Sequence, residues 1–165
     1  MPYELRDDPP TPDEFVALRD AADMAPRSRE GVERGLPNSL FAVTVVHHPE
    51  AVESDVAAKS ENEPRVESED GEVVGMARIV GDGGSVYHVC DMAVHPDHQR
   101  QGLGSRMMER LLSYLDGNAP DRAYVNLMAD VEGFYERFGF EYTAPASRGM
   151  FLRVGEQSQD GTSGT

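Results

Sequence analysis

The run Asp91-Met92-Ala93-Val94-His95-Pro96-Asp97-His98-Gln99-Arg100-Gln101-Gly102-Leu103-Gly104-Ser105 restricts the fold more than any other part of this chain. An apolar strand enters a proline-marked turn, a Gln-x-x-Gly-x-Gly loop follows, and a helix begins at once. That order leaves backbone N–H groups at the positive end of a helix dipole, where an anion can dock. Gly102 and Gly104 let a bulky phosphate come close to the main chain.

A glycine-rich loop has other meanings. A nucleotide P-loop needs Lys and then Ser or Thr after its last glycine, whereas Gly104 is followed by Ser105-Arg106. A dinucleotide fingerprint needs a third glycine within a βαβ unit, and neither is visible. The plainest alternative is a helix N-terminus with a flexible entry. A second motif weighs against it: Ala129-Asp130-Val131-Glu132-Gly133-Phe134-Tyr135-Glu136-Arg137-Phe138-Gly139-Phe140. It reads as a short helix carrying Phe-Tyr-Glu-Arg. Gly139 suits the left-handed position that ends a helix, and Phe140 opens the next strand.

In this order, separated by one helix and one strand, the two motifs resemble the acetyl-CoA loop and the tyrosine helix of the GCN5-related N-acetyltransferases, the GNAT superfamily. The resemblance covers about residues 3–154 and is specific because two unlike motifs agree. It implies an α/β fold with a mixed, mostly antiparallel central sheet and helices on both faces. It also implies acetyl transfer from acetyl-CoA to a primary amine by direct attack, with no metal.

Residue by residue, the resemblance implies that the main chain of Met92, Ala93 and Val94 binds the pantetheine arm as an added strand would. In many relatives a bulge here splays two strands, and the Met92 N–H is the candidate oxyanion donor. Gln99, Arg100, Gln101, Gly102, Leu103, Gly104 and Ser105 match the pyrophosphate loop. Arg100 brings positive charge to a polyanionic ligand; its alternative is a surface pair with Asp97. Tyr135 matches the tyrosine that protonates the departing thiolate, and a phenol pKa of about ten suits that acid; its alternative is packing beside Phe134. The general base stays open. Asp91 on the cleft strand is a candidate, directly or through water, and is structural if it points into the opposite face. His88 is a second candidate, and many relatives use ordered water alone. His95 and His98 are expected at the surface, Cys90 as a buried thiol without a catalytic role, and Asn126 along the cleft.

Composition bounds the rest. A length of 165 residues suits one domain with a proper core, read here as residues 1–154 with a polar, disordered tail over 155–165. Met1-Pro2-Tyr3-Glu4 has neither the basic start nor the apolar run of a signal peptide, and no stretch is apolar enough to cross a membrane. The single Cys90 rules out an internal disulfide and a cysteine-built metal site, so a cytoplasmic location is expected. Net charge is −15, and 14 of the 15 basic residues are arginine, which argues against nucleic-acid or anionic-membrane partners. Residues 48–70 carry −6 and residues 155–165 carry −2, leaving −7 for the remainder. Acid-rich, lysine-poor composition resembles that of salt-accumulating halophiles, in which concentrated salt screens self-repulsion. The alternative is an ordinary acidic protein.

Along the chain, residues 3–6 read as a strand, and Thr11-Pro12-Asp13-Glu14 as a helix start with a capping box and proline at the first helical position. Phe15, Leu18 and Ala22 share that helix's apolar face. A second helix is expected over 28–36, and strands over 39–47, 72–80, 85–94 and 123–128, with Gly81-Asp82-Gly83-Gly84 as a hairpin turn. A helix over 102–115 buries Met107, Met108, Leu111, Leu112 and Leu115, a stripe that reads as core. A helix over 130–137 and strands over 140–143 and 150–154 complete the reading. Residues 48–70 are expected as an inserted acidic loop, solvated or acting as a lid over the acceptor.

The acceptor stays open between a small-molecule amine and a protein N-terminus or lysine. Two other classes compete: a non-catalytic acyl-CoA-binding or sensor domain, and a partner-binding module whose acidic insertion recruits a basic protein. Homodimerisation is common in the family, and nothing in this chain establishes it.

Overall fold

A computed structural model describes residues 2–49 and 71–155. They fall into two compact units, one ending at Leu127 and the other beginning at Met128. The acidic stretch 50–70 and the tail beyond Gly155, read above as insertion and disordered end, lie outside the described residues.

The first unit is a five-stranded sheet in the order β1 (Tyr3–Arg6), β2 (Phe41–His47), β3 (Glu72–Gly81), β4 (Val86–Val94) and β5 (Tyr124–Leu127). The first three pairings are antiparallel and β4–β5 is parallel. A parallel pair needs a crossover, and α3 (Leu103–Asn118) supplies it. The mixed, mostly antiparallel sheet expected from the sequence is therefore observed.

Helices cover both faces. α1 (Pro12–Ala21) starts as its sequence dictates: the Glu14 N–H donates to Thr11 Oγ1 (3.2 Å) and the Thr11 N–H to Glu14 Oε1 (2.9 Å). Such a cap is worth about 1 kcal/mol. α2 (Arg29–Gly35) is capped by Ser28 and runs into a 3₁₀ turn, Leu36–Asn38, containing Pro37. Phe15, Leu18, Val32 and Leu36 pack with Met76 and Ala93 of the sheet. The neighbouring Gly75 faces the other way, where a Cβ would lie 3.5 Å from Met107 Cε of α3. Successive strand residues point to opposite faces, so α1 and α2 lie on one side and α3 on the other.

α3 buries Leu103, Met107, Met108, Leu111 and Leu115, each worth about 1.5–3 kcal/mol on full burial. Leu112, expected in that stripe, is only half-buried, and Leu103 joins it instead. The helix continues through Gly117 to Asn118 and stops at Ala119, whose extended backbone (ψ 129°) is what the following Pro120 requires.

The second unit corrects three expectations. Residues 130–137 do not form one helix: Gly133 takes φ 81°, a left-handed break, and only Tyr135–Phe138 winds into a 3₁₀ turn, closed by Gly139 at φ 94°. Residues 140–143 and 150–154 are not strands. A strand needs a ladder partner. Thr143 instead closes a turn with Ser147, accepting its N–H at 2.9 Å, and Met150, Phe151, Leu152 and Val154 are exposed.

Candidate active site

The strand β4 is irregular where the sequence places its chemistry. Met76 of β3 opposes Ala93, and Arg78 opposes Cys90, so Asp91 and Met92 together face only Ala77. This is a β-bulge, and Asp91 at its first position has φ 56°. Aspartate is among the few non-glycine residues that enter the left-handed region at modest cost. The strand beyond the bulge reaches Val94, whereas β5 pairs with β4 only as far as Val89–Leu127. The bulge expected from the family resemblance is thus present, and Met92, Ala93 and Val94 follow it.

Asp91 is 9% exposed. Its Oδ1 accepts from Arg19 Nη1 at 2.7 Å and its Oδ2 from Arg78 Nε at 2.6 Å. Arg19, 5% exposed on α1, also donates Nε and Nη2 to the Ala25 carbonyl at 3.0 and 2.6 Å. Arg78 further donates Nη1 to Ser39 Oγ at 3.3 Å. The carboxylate therefore clamps α1 and β3 onto the bulge. With both oxygens held by guanidinium groups, it is poorly arranged to take a proton from an amine. Both oxygens lie on the α1 side of the sheet, the side that Arg78 and Cys90 share. Neither arginine was singled out from the sequence. The available signals were a charge within the apolar run Met76-Ala77-Arg78-Ile79 and a charge at the i+4 position from Phe15.

His88 lies on the same face of β4 as Cys90, and it opposes Val80 as Cys90 opposes Arg78. Across the parallel pair its Nδ1 meets Asn126 Oδ1 at 2.5 Å. A side-chain amide oxygen only accepts, so Nδ1 is the donor in this bond. The second candidate base and the residue expected along the cleft are thus brought together. Cys90 is half-buried, and burial together with the nearby Asp91 charge pushes its thiol up to about 12, so it stays protonated.

After Val94 the chain turns through a 3₁₀ turn, Pro96–His98, in which His95 Nδ1 accepts the Asp97 N–H at 3.1 Å. Gln99 Nε2 donates back to the Val94 carbonyl at 3.1 Å. His98 is held by Tyr3, whose hydroxyl shares a 2.9 Å hydrogen bond with Nδ1, and by the His47 ring at 4.6 Å. It is thus a packed part of the turn and not simply a surface residue. Arg100 (φ 63°) and Gly102 (φ 75°) both take left-handed backbone, and nothing would crowd a Cβ at Gly102. Conformation, not space, asks for glycine there.

Gly102 is the N-cap of α3 and supplies no side-chain bond to it. The helix's backbone ladder opens with Arg106 N–H to Gly102 O at 3.1 Å, so the N–H groups of Leu103 and Gly104 precede it. Gln101 and Gly102 are exposed, Leu103 is buried beneath them, and Gly104 and Ser105 are half-buried. Arg100 is exposed and has no carboxylate partner among the described residues; Asp97 approaches His95 instead. A helix N-terminus with a glycine cap and a nearby arginine fits a pyrophosphate.

Tyr135 belongs to the second unit. It is 7% exposed, with Phe134 and Phe140 rings at 5.0 and 6.2 Å. Burial, helped by the charge of Asp130, raises its phenol above the ordinary value. Among the described residues no group of three or more His, Cys, Asp or Glu is placed to hold a metal, and no helix is long and apolar enough to cross a membrane.

Comparison with known proteins places these features in a family. The Acetyltransferase (GNAT) domain pattern matches residues 65–142. The chain is 35% identical over 144 residues to serotonin N-acetyltransferase 2, chloroplastic, of Oryza sativa subsp. japonica, a match that covers 83% of this chain and 71% of the relative. A probable acetyltransferase from meticillin-resistant Staphylococcus aureus superposes with a TM-score of 0.74 at 35% identity, covering 92% of this chain and 98% of that one. A GNAT acetyltransferase from Brucella melitensis, solved in complex with acetyl-CoA, shares the fold at 20% identity, with a TM-score of 0.54 over 85% of this chain and 83% of that one. From the match to the rice enzyme and the glycine-capped loop behind a bulged strand, the chain belongs to the GNAT family of acetyl-CoA-dependent acyltransferases.

Proposed function

We propose that this enzyme transfers the acetyl group of acetyl-CoA directly to a primary amine of a small molecule. The observation that carries the reading is the bulge at Asp91–Met92, followed within one turn by the glycine-capped N-terminus of α3. The loop from Gln99 to Ser105, with Arg100, holds the pyrophosphate, and the main chain of Met92, Ala93 and Val94 aligns the pantetheine arm. The neutral amine attacks the thioester carbon, and the Met92 N–H donates to the developing oxyanion. Collapse forms the amide and breaks the C–S bond. His88, oriented by Asn126, takes the proton that the ammonium must lose, in preference to the doubly ion-paired Asp91. Tyr135 gives its proton to the CoA thiolate, and the second proton shed by the attacking nitrogen as the amide forms restores the phenol, which burial keeps protonated at neutral pH.

The rice relative is named for serotonin, a primary amine, which makes serotonin a natural first acceptor to test. The decisive experiment is calorimetric titration with acetyl-CoA in molar KCl, followed by CoA release with an amine panel. Micromolar binding with amine-dependent CoA release is expected. Binding without release from any amine would favour an acyl-CoA-binding domain, and no binding by the folded protein would end the acetyltransferase reading.

A further inference from the structure

On the α1–α2 face of the sheet lies a cavity of about 140 Å³, lined by Phe15, Arg27, Ser28, Val32, Leu36 and Arg78, with Gly31 at its edge. Apolar walls with two guanidinium groups and no carboxylate are unusual for a chain with twice as many acidic as basic residues. Most neighbouring arginines are satisfied: Arg29 pairs with Asp13 and Glu33, Arg34 with Glu30, and Arg19 with Asp91. Arg27 makes only a long 3.4 Å bond to the Ala25 carbonyl and has no carboxylate partner among the described residues. Arg78 spends Nε on Asp91 and Nη1 on Ser39, and still lines the cavity.

The position of this cavity matters as much as its charge. Arg78 touches the carboxylate of the bulge and opposes Cys90, two residues from His88 on the same face of β4. A cavity of this size takes a carboxylate and a short stem, not a whole drug-sized ligand. The reacting end of such a molecule would remain outside it, toward β4.

We propose that this cavity is the specificity pocket for the acetyl acceptor, and that the acceptor is an amine carrying a carboxylate, which Arg27 and Arg78 bind. This deepens the acetyltransfer reading and rests on it. The local charge of the pocket is opposite to that of the chain. Guanidinium donors in a forked geometry match a carboxylate, and a charged hydrogen bond across a partly dry site discriminates strongly against a ligand that lacks it.

The test uses pairs that differ only in the carboxylate: 5-hydroxytryptophan against serotonin, and glycine, β-alanine and γ-aminobutyrate against methylamine, ethylamine and propylamine. At least one carboxylated member should be acetylated with a kcat/KM about tenfold or more above its partner, and the best chain length reports the reach from pocket to thioester. In Arg27→Gln, an exposed site whose change leaves the Asp91 clamp intact, that preference should fall about tenfold, with KM for the plain amine unchanged. Equal use of both members in every pair, or an equal loss for both in Arg27→Gln, overturns the proposal. A second readout needs no turnover: titration of the folded protein with the N-acetyl derivatives of the same compounds. The carboxylates should bind more tightly than their alkyl partners, and Arg27→Gln should erase the difference; no difference in the unmodified protein also overturns the proposal. Failure of acetyl-CoA to bind would count against the acetyltransfer reading alone.

Discussion

Replacing Asp91 separates two roles that the sequence leaves open. In Asp91→Ala, Arg19 and Arg78 lose their shared carboxylate, and Arg19, 5% exposed, loses the acceptor at Nη1. Orphaning one partner of a buried ion pair costs about 3–5 kcal/mol. Alanine at φ 56° adds about 1–2 kcal/mol, because its Cβ crowds the following carbonyl where aspartate is tolerated. The loss of about 4–7 kcal/mol is a large part of the roughly 5–15 kcal/mol that holds a domain folded. At about 2–4 °C per kcal/mol, the midpoint should fall by at least about 8 °C. Asp91→Asn keeps the left-handed tolerance and one acceptor, so it should lose less, about 2–3 kcal/mol. Thermal unfolding and kcat should be measured on both variants. As a clamp, Asp91 should give variants whose kcat falls only modestly at temperatures where they are folded. His88→Gln should lower kcat by about a hundredfold. If Asp91→Asn unfolds at the temperature of the unmodified protein and yet loses kcat by about a hundredfold or more, the clamp reasoning is wrong and Asp91 is the base.

Other perturbations read other parts of the site. Arg100→Glu places a negative charge beside the helix N-terminus and should raise the acetyl-CoA KM by about tenfold or more; an unchanged value in steady-state kinetics would remove Arg100 from the phosphate site. Tyr135→Phe should lower kcat by about a hundredfold with little change in acetyl-CoA affinity, and equal kcat would sink its acid role. Because burial raises this phenol, and the acid works only while protonated, activity that depends on it should be lost only as pH rises beyond about ten. Cys90, with its thiol at about 12, should react with iodoacetamide at pH 8 far more slowly in the folded protein than in urea; fast labelling of the folded state would contradict its burial. If the acidic surface reflects halophily, dilution from molar KCl should unfold the protein as followed by circular dichroism, and full stability in dilute buffer would discard that idea.

Local signals carried much of the first unit. Thr11-Pro12-Asp13-Glu14 contains its own capping box, so the start of α1 is legible in four letters. The Gly81-Asp82-Gly83-Gly84 turn between two apolar runs marks the hairpin, and the Gln-x-x-Gly-x-Gly run marks the strand–turn–helix that presents an anion site. These features depend on neighbours in sequence, so the sequence declares them. The second unit was misread where a family pattern stood in for local preference: Gly133 turns left-handed ahead of Tyr135, and Thr143 bonds into a turn.

What only the tertiary structure decided is which distant groups meet. Arg19, Arg78 and Asp91 come from a helix and two strands, and nothing in their separate surroundings couples them. Their meeting occupies both oxygens of a candidate base. The pairing of His88 with Asn126 depends on the register of a parallel pair joined through α3. Arg27 and Arg78 line one cavity because α1 and α2 fold back across the sheet. Backbone shape follows from nearest-neighbour sterics and capping. The chemistry of a site depends on long-range burial, which determines where each charge is held and what it faces.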